Sequence, residues 1–210
     1  MSNVYKSSLF VVLLAFAIVM RGGETNVTDR LREGLSGVTS VRATFTQEKT
    51  LSLFKNKLTI TGRMLLDGKG SLLWVTDAPV RSALTIREGT LRQWDGESDR
   101  VTSLPVSKIP ALPALIGQIQ YWLRGDFDAL IRDYDIRVEK ESPPTLVCAP
   151  KQAESAPFES ITLVFCEAPY HLSHVSLVEA GGNLTTLLFE NVELNAPVRP
   201  SDWELPPKQR

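Results

Sequence analysis

The chain has 210 residues, a hydrophobic content of 43% and nearly balanced charge, with 23 basic and 24 acidic residues. This length and apolar content predict one domain with a sizeable core and argue against a second domain. Proteins that bind nucleic acids or other polyanions carry a basic stripe. A formal net charge of -1 supports no such partner.

The first 24 residues have the features of a secretory signal peptide. Lys6 supplies a positive n-region, and Leu9 to Met20 forms a continuous apolar run that is shorter than the ~20 residues of a membrane-spanning helix. The small-x-small pattern Ala15-Phe16-Ala17 falls inside this run and therefore does not identify the cleavage site. An uncleaved N-terminal anchor is the alternative to a cleaved signal peptide. No Cys lies near this boundary, which argues against lipid modification of the chain. The sequence predicts export and a single mature domain over 25–210.

The next part of the chain predicts a short helix followed by an antiparallel meander. Asn26 to Val38 carries apolar residues at helical spacing, and Val41 to Lys49 alternates apolar and polar side chains, the period of a half-buried strand. Small turns, Gly68-Lys69-Gly70 among them, separate the runs that follow. We predict further strands at Leu58 to Leu66, Ser71 to Thr76, Ala83 to Arg87, Thr90 to Trp94 and Arg100 to Leu104.

The pattern then changes to helical before it returns to strands. Between Val106 and Arg132, apolar residues recur at intervals of three and four, which predicts a helix with one apolar face lying on the sheet, and a second short helix after Gly125-Asp126. The remaining predicted strands are Tyr134 to Glu139, Thr145 to Ala149, Ser160 to Glu167, Leu172 to Glu179 and Leu184 to Glu193.

Several short motifs occur in an order typical of one known family. They are Phe45-Thr46-Gln47, Gly62-Arg63-Met64-Leu65, Leu73-Trp74, Pro79, Gln93-Trp94-Asp95-Gly96, Phe189-Glu190-Asn191-Val192-Glu193-Leu194-Asn195 and Trp203-Glu204-Leu205-Pro206-Pro207. In this order and spacing they resemble the periplasmic outer-membrane lipoprotein carrier, the LolA-type chaperone, and its close relatives. The resemblance extends over most of the mature chain.

The resemblance implies a mainly β fold with α-helices: an open, unclosed antiparallel β-barrel of the LolA/LolB type, with a helical lid over a hydrophobic cavity. It implies a monomeric periplasmic carrier without catalysis, cofactor or metal. Such a carrier accepts the acyl chains of a lipoprotein or other lipid cargo from an inner-membrane ABC-type release complex and delivers them to an outer-membrane acceptor. We expect the cavity to be lined by Val41, Phe45, Met64, Leu72, Trp74, Leu84, Ile86, Leu112, Leu115, Ile116 and Ile119.

A non-carrier protein is the alternative. In that case the concave face of the sheet is an ordinary packed core, filled by the protein's own side chains, and the protein is a periplasmic envelope-assembly or interaction module. The sequence does not separate a filled core from a cavity.

One departure from the family concerns the turn after the second strand. Relatives nearest to the lipoprotein carrier usually have Arg followed by Pro there, and that Arg is associated with one-directional cargo transfer. The corresponding positions here are Gly68 and Lys69. Either Lys69 partly substitutes for the Arg, or the protein is a divergent member with a different lipid-like cargo, such as a glycolipid or a polyene.

Two cysteines, Cys148 and Cys166, lie in successive predicted strands. In an oxidising compartment we expect them to form a disulfide, which would contribute about 3 kcal/mol by the chain-entropy model. Two buried free thiols in unmatched register are the alternative.

The sequence offers few side chains that could form a catalytic site. His171 and His174 are the only histidines, and their spacing on one strand is expected to place them on opposite faces unless a bulge intervenes, which argues against a shared metal. The sequence has no phosphate-binding loop, nucleophile elbow or zinc signature, and we expect no nucleophile–base pair.

Overall fold

The structure is a computed structural model that describes residues 26–50, 57–109, 112–152, 156, 158–179 and 181–206, with the backbone alone for 112–116. The predicted signal peptide therefore lies outside the described residues. The helices are α1 Val27–Leu35, α2 Leu112–Arg124 and α3 Phe127–Asp133. The strands are β1 Ser40–Thr50, β2 Leu58–Asp67, β3 Leu72–Ala78, β4 Ser82–Arg87, β5 Thr90–Asp95, β6 Arg100–Pro105, β7 Tyr134–Glu141, β8 Pro144–Pro150, β9 Phe158–Cys166, β10 His171–Glu179 and β11 Leu184–Leu194.

All eleven strands form one sheet, in the order β6-β5-β4-β3-β2-β1-β11-β10-β9-β8-β7. Every neighbouring pair is antiparallel. Two meanders meet where β1 pairs with both β2 and β11, and the edge strands β6 and β7 are not paired with each other. The fold is thus mainly β with helices, an open antiparallel barrel, and this prediction is confirmed.

The predicted strands are confirmed as well, with ends that differ from the observed ones by two residues or fewer. Period-2 alternation was informative because most strands bury one face more than the other. Helix α1 begins where Asn26 Oδ1 accepts a hydrogen bond from Thr28 N at 3.3 Å, and α3 begins where Asp126 Oδ1 accepts one from Ala129 N at 3.1 Å. These N-caps satisfy backbone donors that a helix start would otherwise leave unpaired.

The main core lies between the concave face of the sheet and the helices. Its fully buried side chains come from α1, α3 and both meanders, and include Leu31, Phe45, Met64, Leu130, Leu146, Ile161, Leu163 and Phe165. Full burial of such a side chain contributes about 1.5–3 kcal/mol. This core therefore contains side chains from both meanders and packs them against each other.

A second, smaller apolar cluster lies on the outer face of the first meander. It contains Leu65, Leu73, Val75, Ala83, Trp94 and Trp203. Trp203 ends a 3₁₀ turn over Pro200–Trp203 and is 5% exposed. Next to it, Asp202 Oδ2 lies 3.1 Å from Arg42 Nη2 of β1, so the C-terminal segment is fixed across the outside of the sheet.

The predicted disulfide is wrong, because the strand register separates the two thiols. Cys148 of β8 lies opposite Ile161 of β9, whereas Cys166 lies at the far end of β9 opposite His171. At ~3.3 Å per residue, the five-residue offset between Ile161 and Cys166 corresponds to about 17 Å. An odd offset also points the two side chains to opposite faces, and both cysteines are free.

Candidate functional site

The inner face of the first meander becomes less buried from strand to strand toward the β6 edge. Cross-strand partners share a face, and register pairing gives one row that consists entirely of apolar residues: Leu66, Leu72, Ile86, Leu91 and Leu104. The exposed fraction is 1%, 3%, 6% and 8% for the first four and 46% for Leu104. The adjacent row, Met64, Trp74, Leu84, Gln93 and Thr102, follows the same trend from buried to exposed. The concave apolar face is therefore covered near β2 and open near β6.

Most of the predicted cavity residues meet in this region. Buried in the main core are Val41, Phe45, Met64, Leu72 and Ile86. Trp74, Leu84 and Ile119 are partly buried and pack against that core. Leu112, Leu115 and Ile116 belong to helix α2, but their side chains lie outside the described residues. The structure brings the first eight into one cluster, and their role in binding stays a prediction.

An aromatic stack marks the point where the covered part of the concave face meets the open part. The rings of Phe45 and Trp74 are stacked with centroids 4.2 Å apart and an interplanar angle of 29°. Gly62 makes room for this arrangement, because a Cβ at that position would overlap the Phe45 ring and the Val75 carbonyl oxygen. Trp74 therefore combines a fixed ring plane with partial exposure, which suits contact with an apolar ligand.

Helix α2 is fixed to both meanders by polar side chains. Gln120 Nε2 donates a hydrogen bond to the carbonyl oxygen of Gly70, and Arg124 Nη1 donates one to that of Gly68, both at 3.3 Å. On the other side, Gln118 Nε2 donates to the Tyr134 hydroxyl at 2.8 Å. The sequence interpretation did not assign a function to these residues, although the two glutamines flank the apolar face of the helix, where side chains can reach the neighbouring elements.

The β2–β3 turn that receives these bonds is also where the sequence departs from the family. Asp67 Oδ1 accepts hydrogen bonds from the backbone nitrogens of Lys69 at 2.9 Å and Ser71 at 2.8 Å. The turn conformation is therefore built from Asp67, and the exposed Lys69 side chain is not needed to form it.

Two cavities adjoin this turn. The inner one, of about 390 Å³, lies between the β2–β3 turn, the β4–β5 turn and α2, and its lining includes Ile86, Val106, Gly117 and Gln120. The outer one, of about 680 Å³, lies between the same turns and the C-terminal segment, above Trp203. Lys69, Ser71, Arg87 and Glu88 line both cavities.

The histidines differ from the sequence expectation. A β-bulge between Leu172 and His174 turns Leu172 and Val175 both inward, so His171 and His174 both lie on the outer face. His174 Nε2 and Ser176 Oγ are 2.8 Å apart, a contact that the sequence analysis did not anticipate. Nucleophilic catalysis by such a pair also needs a substrate pocket, and neither residue lines the inner or outer cavity.

Among the described residues no group of three or more His, Cys, Asp or Glu could hold a metal ion.

An open antiparallel barrel with helices over a partly covered apolar concave face defines the fold class of this protein. The chain belongs to the family of the outer membrane lipoprotein carrier protein LolA, whose sequence model matches residues 36–205. Similar proteins include the outer-membrane lipoprotein carrier proteins of Pseudomonas syringae pv. syringae strain B728a, 23% identical over 93% of this chain and 91% of the relative, and of Azotobacter vinelandii strain DJ, 25% identical over 89% of each chain.

A solved structure with a similar fold is that of an uncharacterized conserved protein from Thermus thermophilus. Its TM-score is 0.52 at 12% identity, over 84% of this chain and 90% of that one. The likeness concerns the fold alone. Within the part of the chain that the structure describes, none of the helices has the length and apolar character needed to cross a membrane.

Proposed function

We propose that the protein is a periplasmic carrier that binds the acyl chains of a lipoprotein or another lipid on the concave face of its barrel and shuttles this cargo from the inner to the outer membrane. Family membership supports the carrier role, since the curated relatives are named as lipoprotein carriers. In this proposal the cargo comes from an ABC-type complex in the inner membrane and passes to an acceptor in the outer membrane.

The observation that carries the proposal is the incomplete cover of the concave face. The row that ends at Leu104 presents apolar surface, and one of its members, Ile86, lines a cavity of about 390 Å³. Trp74 and Leu84 of the adjacent row are partly exposed. That volume is within the ~300–1,000 Å³ typical of ligand pockets. A core meant only to stabilise the fold would gain free energy by burying these side chains.

Energetics explain why such a site is useful. Each acyl methylene hidden from water is worth about 0.8 kcal/mol, so one long chain exposed to an aqueous compartment costs on the order of 10 kcal/mol. A fully enclosing cavity would hold the cargo too tightly for transfer. An open concave face under a helix that is fixed by a few hydrogen bonds is suited to binding and release.

The experiment is to titrate the purified protein with a fluorescent hydrophobic dye and then add fatty acid. The carrier proposal predicts saturable one-to-one dye binding that fatty acid displaces. Mass spectrometry of the organic extract of protein purified from its native envelope would then identify the cargo. Absence of dye binding together with an extract free of acylated molecules would refute the proposal.

The second candidate is an envelope-assembly or interaction module without cargo. It is favoured by the other meander, where Phe165, Leu163, Ile161 and Leu146 are completely buried beneath Phe127 and other apolar side chains of the main core. The same dye titration distinguishes the two candidates, since a filled core offers no saturable site.

A further inference from the structure

Lys69 and Arg87 lie in the wall between the inner and the outer cavity. Lys69 belongs to the β2–β3 turn and Arg87 is the last residue of β4. The two turns lie at the same end of the sheet, because Leu72 at the start of β3 pairs with Ile86. Each of the two basic residues lines both cavities. The two residues thus lie at the rim that the two cavities share, and the Arg87 side chain extends over Trp203 toward the outer cavity.

The Arg87 guanidinium is held in place but has hydrogen-bonding capacity left. Its Cζ lies 5.1 Å from the centre of the Trp203 ring, a cation–π contact that fixes its plane. Its Nε is buried and has no hydrogen-bond partner. A ligand cannot reach this enclosed Nε, and the capacity for a further hydrogen bond lies on the more accessible Nη nitrogens, which carry most of the guanidinium N–H donors.

The acidic side chains at the same place do not neutralise this pair. Glu88 Oε1 is 3.7 Å from Arg87 Nη2, but the Glu88 side chain is 88% exposed, and an ion pair this exposed contributes little. Asp67 also lines the outer cavity and keeps its negative charge, while its Oδ1 accepts hydrogen bonds from the Lys69 and Ser71 backbone nitrogens. Basic side chains nevertheless outnumber acidic ones in this lining. The outer cavity has a further basic lining residue, Arg199.

The inner cavity is partly apolar and lies on the other side of β4 from the Arg87 guanidinium, which stacks on Trp203 of the outer cluster. Ile86 and Val106 line the inner cavity, and Ile86 belongs to the apolar row of the concave face. A ligand that fits both parts has an apolar tail and an anionic head.

We infer that Lys69 and Arg87 bind a phosphate head group of an acylated cargo whose chains lie on the concave face. This inference rests on the carrier function proposed above and specifies the cargo as an anionic lipid. The Lys69 ammonium and the Arg87 guanidinium donate charge-assisted hydrogen bonds to the phosphate oxygens. The acyl chains cross this rim into the inner cavity, where Ile86 and Val106 contact their first methylenes.

The test compares two lipids that differ only in the phosphate. The purified protein is loaded with a fluorescent diacylglycerol, which is then displaced by phosphatidic acid or by unlabelled diacylglycerol with the same chains. We expect phosphatidic acid to displace the reporter at an about tenfold lower concentration, as one or two charge-assisted hydrogen bonds would give. Lys69→Gln should remove most of this preference, because its side chain is exposed and the turn is held by Asp67. The matched control is Lys140→Gln, an exposed position on the β7 edge strand, which should leave the preference unchanged.

Each other outcome has a distinct meaning. Equal displacement by the two lipids would overturn the phosphate site and leave the carrier function standing, whereas a protein that binds neither reporter nor lipid would overturn the carrier function itself. Inorganic phosphate that displaces the reporter as well as phosphatidic acid would show a site for free anions and overturn the head-group assignment. An unchanged preference in Lys69→Gln would overturn the role of Lys69.

Discussion

Gln120 and Gly70 form a direct link between helix α2 and the sheet. Gln120 Nε2 donates to the Gly70 carbonyl oxygen at 3.3 Å, and a Cβ on Gly70 would lie 2.7 Å from the same nitrogen. Gly70 also has a φ of 84°, which favours glycine. The close approach of the helix to this turn therefore requires both the amide side chain and the glycine.

We predict that Gln120→Ala loosens α2 without unfolding the barrel. Losing a partly exposed hydrogen bond of about 0.5–1 kcal/mol should speed amide hydrogen exchange in the C-terminal half of α2 about twofold to fivefold. Exchange in β9 and β10 should stay unchanged. Hydrogen exchange with mass spectrometry measures both, and Gln93→Ala, at an exposed position on β5, is the control. Equal exchange in wild type and Gln120→Ala would show that the bond does not hold the helix.

The two thiols should both be detectable in unreduced protein. Cys148 is completely buried and Cys166 is half-buried, so a thiol reagent should label Cys166 in the native protein and Cys148 only after unfolding. Quantitative labelling in denaturant without a reductant checks this and should find both thiols. Absence of labelling there would mean that the register of β8 and β9 differs from the one described.

Cys148 should also make the protein less stable at high pH. Burial raises the pKa of its thiol from 9.0 to about 12. Between these values the unfolded chain releases a proton that the folded chain keeps, so the free energy of unfolding should fall as pH rises, by up to about 1.4 kcal/mol per pH unit. Urea unfolding at several alkaline pH values in a reductant measures the slope. The free energy of unfolding of Cys148→Ala should depend less on pH over this interval. An identical slope in the variant and the wild type would mean that other groups cause the loss of stability.

The two cysteines also show where sequence reasoning reaches its limit. The alternation of apolar and polar residues depends on one segment alone. It was therefore enough to predict Val41 to Lys49 and the other strands, and to predict which of their side chains face inward. Register depends on pairs of strands, and the offset between Cys148 and Cys166 could not be obtained from either strand separately. The bulge before His174 is of the same kind, since an extra residue in one strand is defined only against its partner.

The candidate site was predictable to a similar degree. Apolar residues such as Phe45 and Trp74 could be assigned to the concave face by their period. The basic pair could not be found in this way, because Lys69 belongs to the β2–β3 turn and Arg87 to the end of β4, and only the folded sheet brings them to one cavity. The Trp203 contact with Arg87 likewise depends on where the C-terminal segment crosses the sheet.

Trp203 should contribute strongly to stability, although it lies outside the main core. It is 5% exposed and belongs to the outer cluster with Leu73, Val75 and Trp94. Trp203→Ala should lower the free energy of unfolding by about 3–5 kcal/mol, and Trp203→Phe by clearly less because an aromatic ring remains. Urea denaturation followed by circular dichroism measures both. A loss below about 1 kcal/mol for the alanine variant would show that the C-terminal segment is not packed as described.

The last prediction compares one substitution on the two faces of the sheet. Leu104 is 46% exposed at the open end of the concave apolar row, and Leu188 is 42% exposed on β11. The next residue, Phe189, pairs with the buried Phe45, so Leu188 points to the outer face. Both positions are exposed enough to accept Glu with a similar, small change in stability.

Binding should nevertheless distinguish them. In Leu104→Glu a carboxylate lies on the concave apolar row where acyl chains are proposed to bind, and its desolvation should weaken binding of the hydrophobic dye about tenfold or more. Leu188→Glu should bind the dye like the wild type. Dye titrations of the two variants, each checked by its urea midpoint, measure the difference. Equal affinities in variants of equal stability would mean that the open part of the concave face does not bind the dye, and the cargo surface would then have to lie deeper, under helix α2.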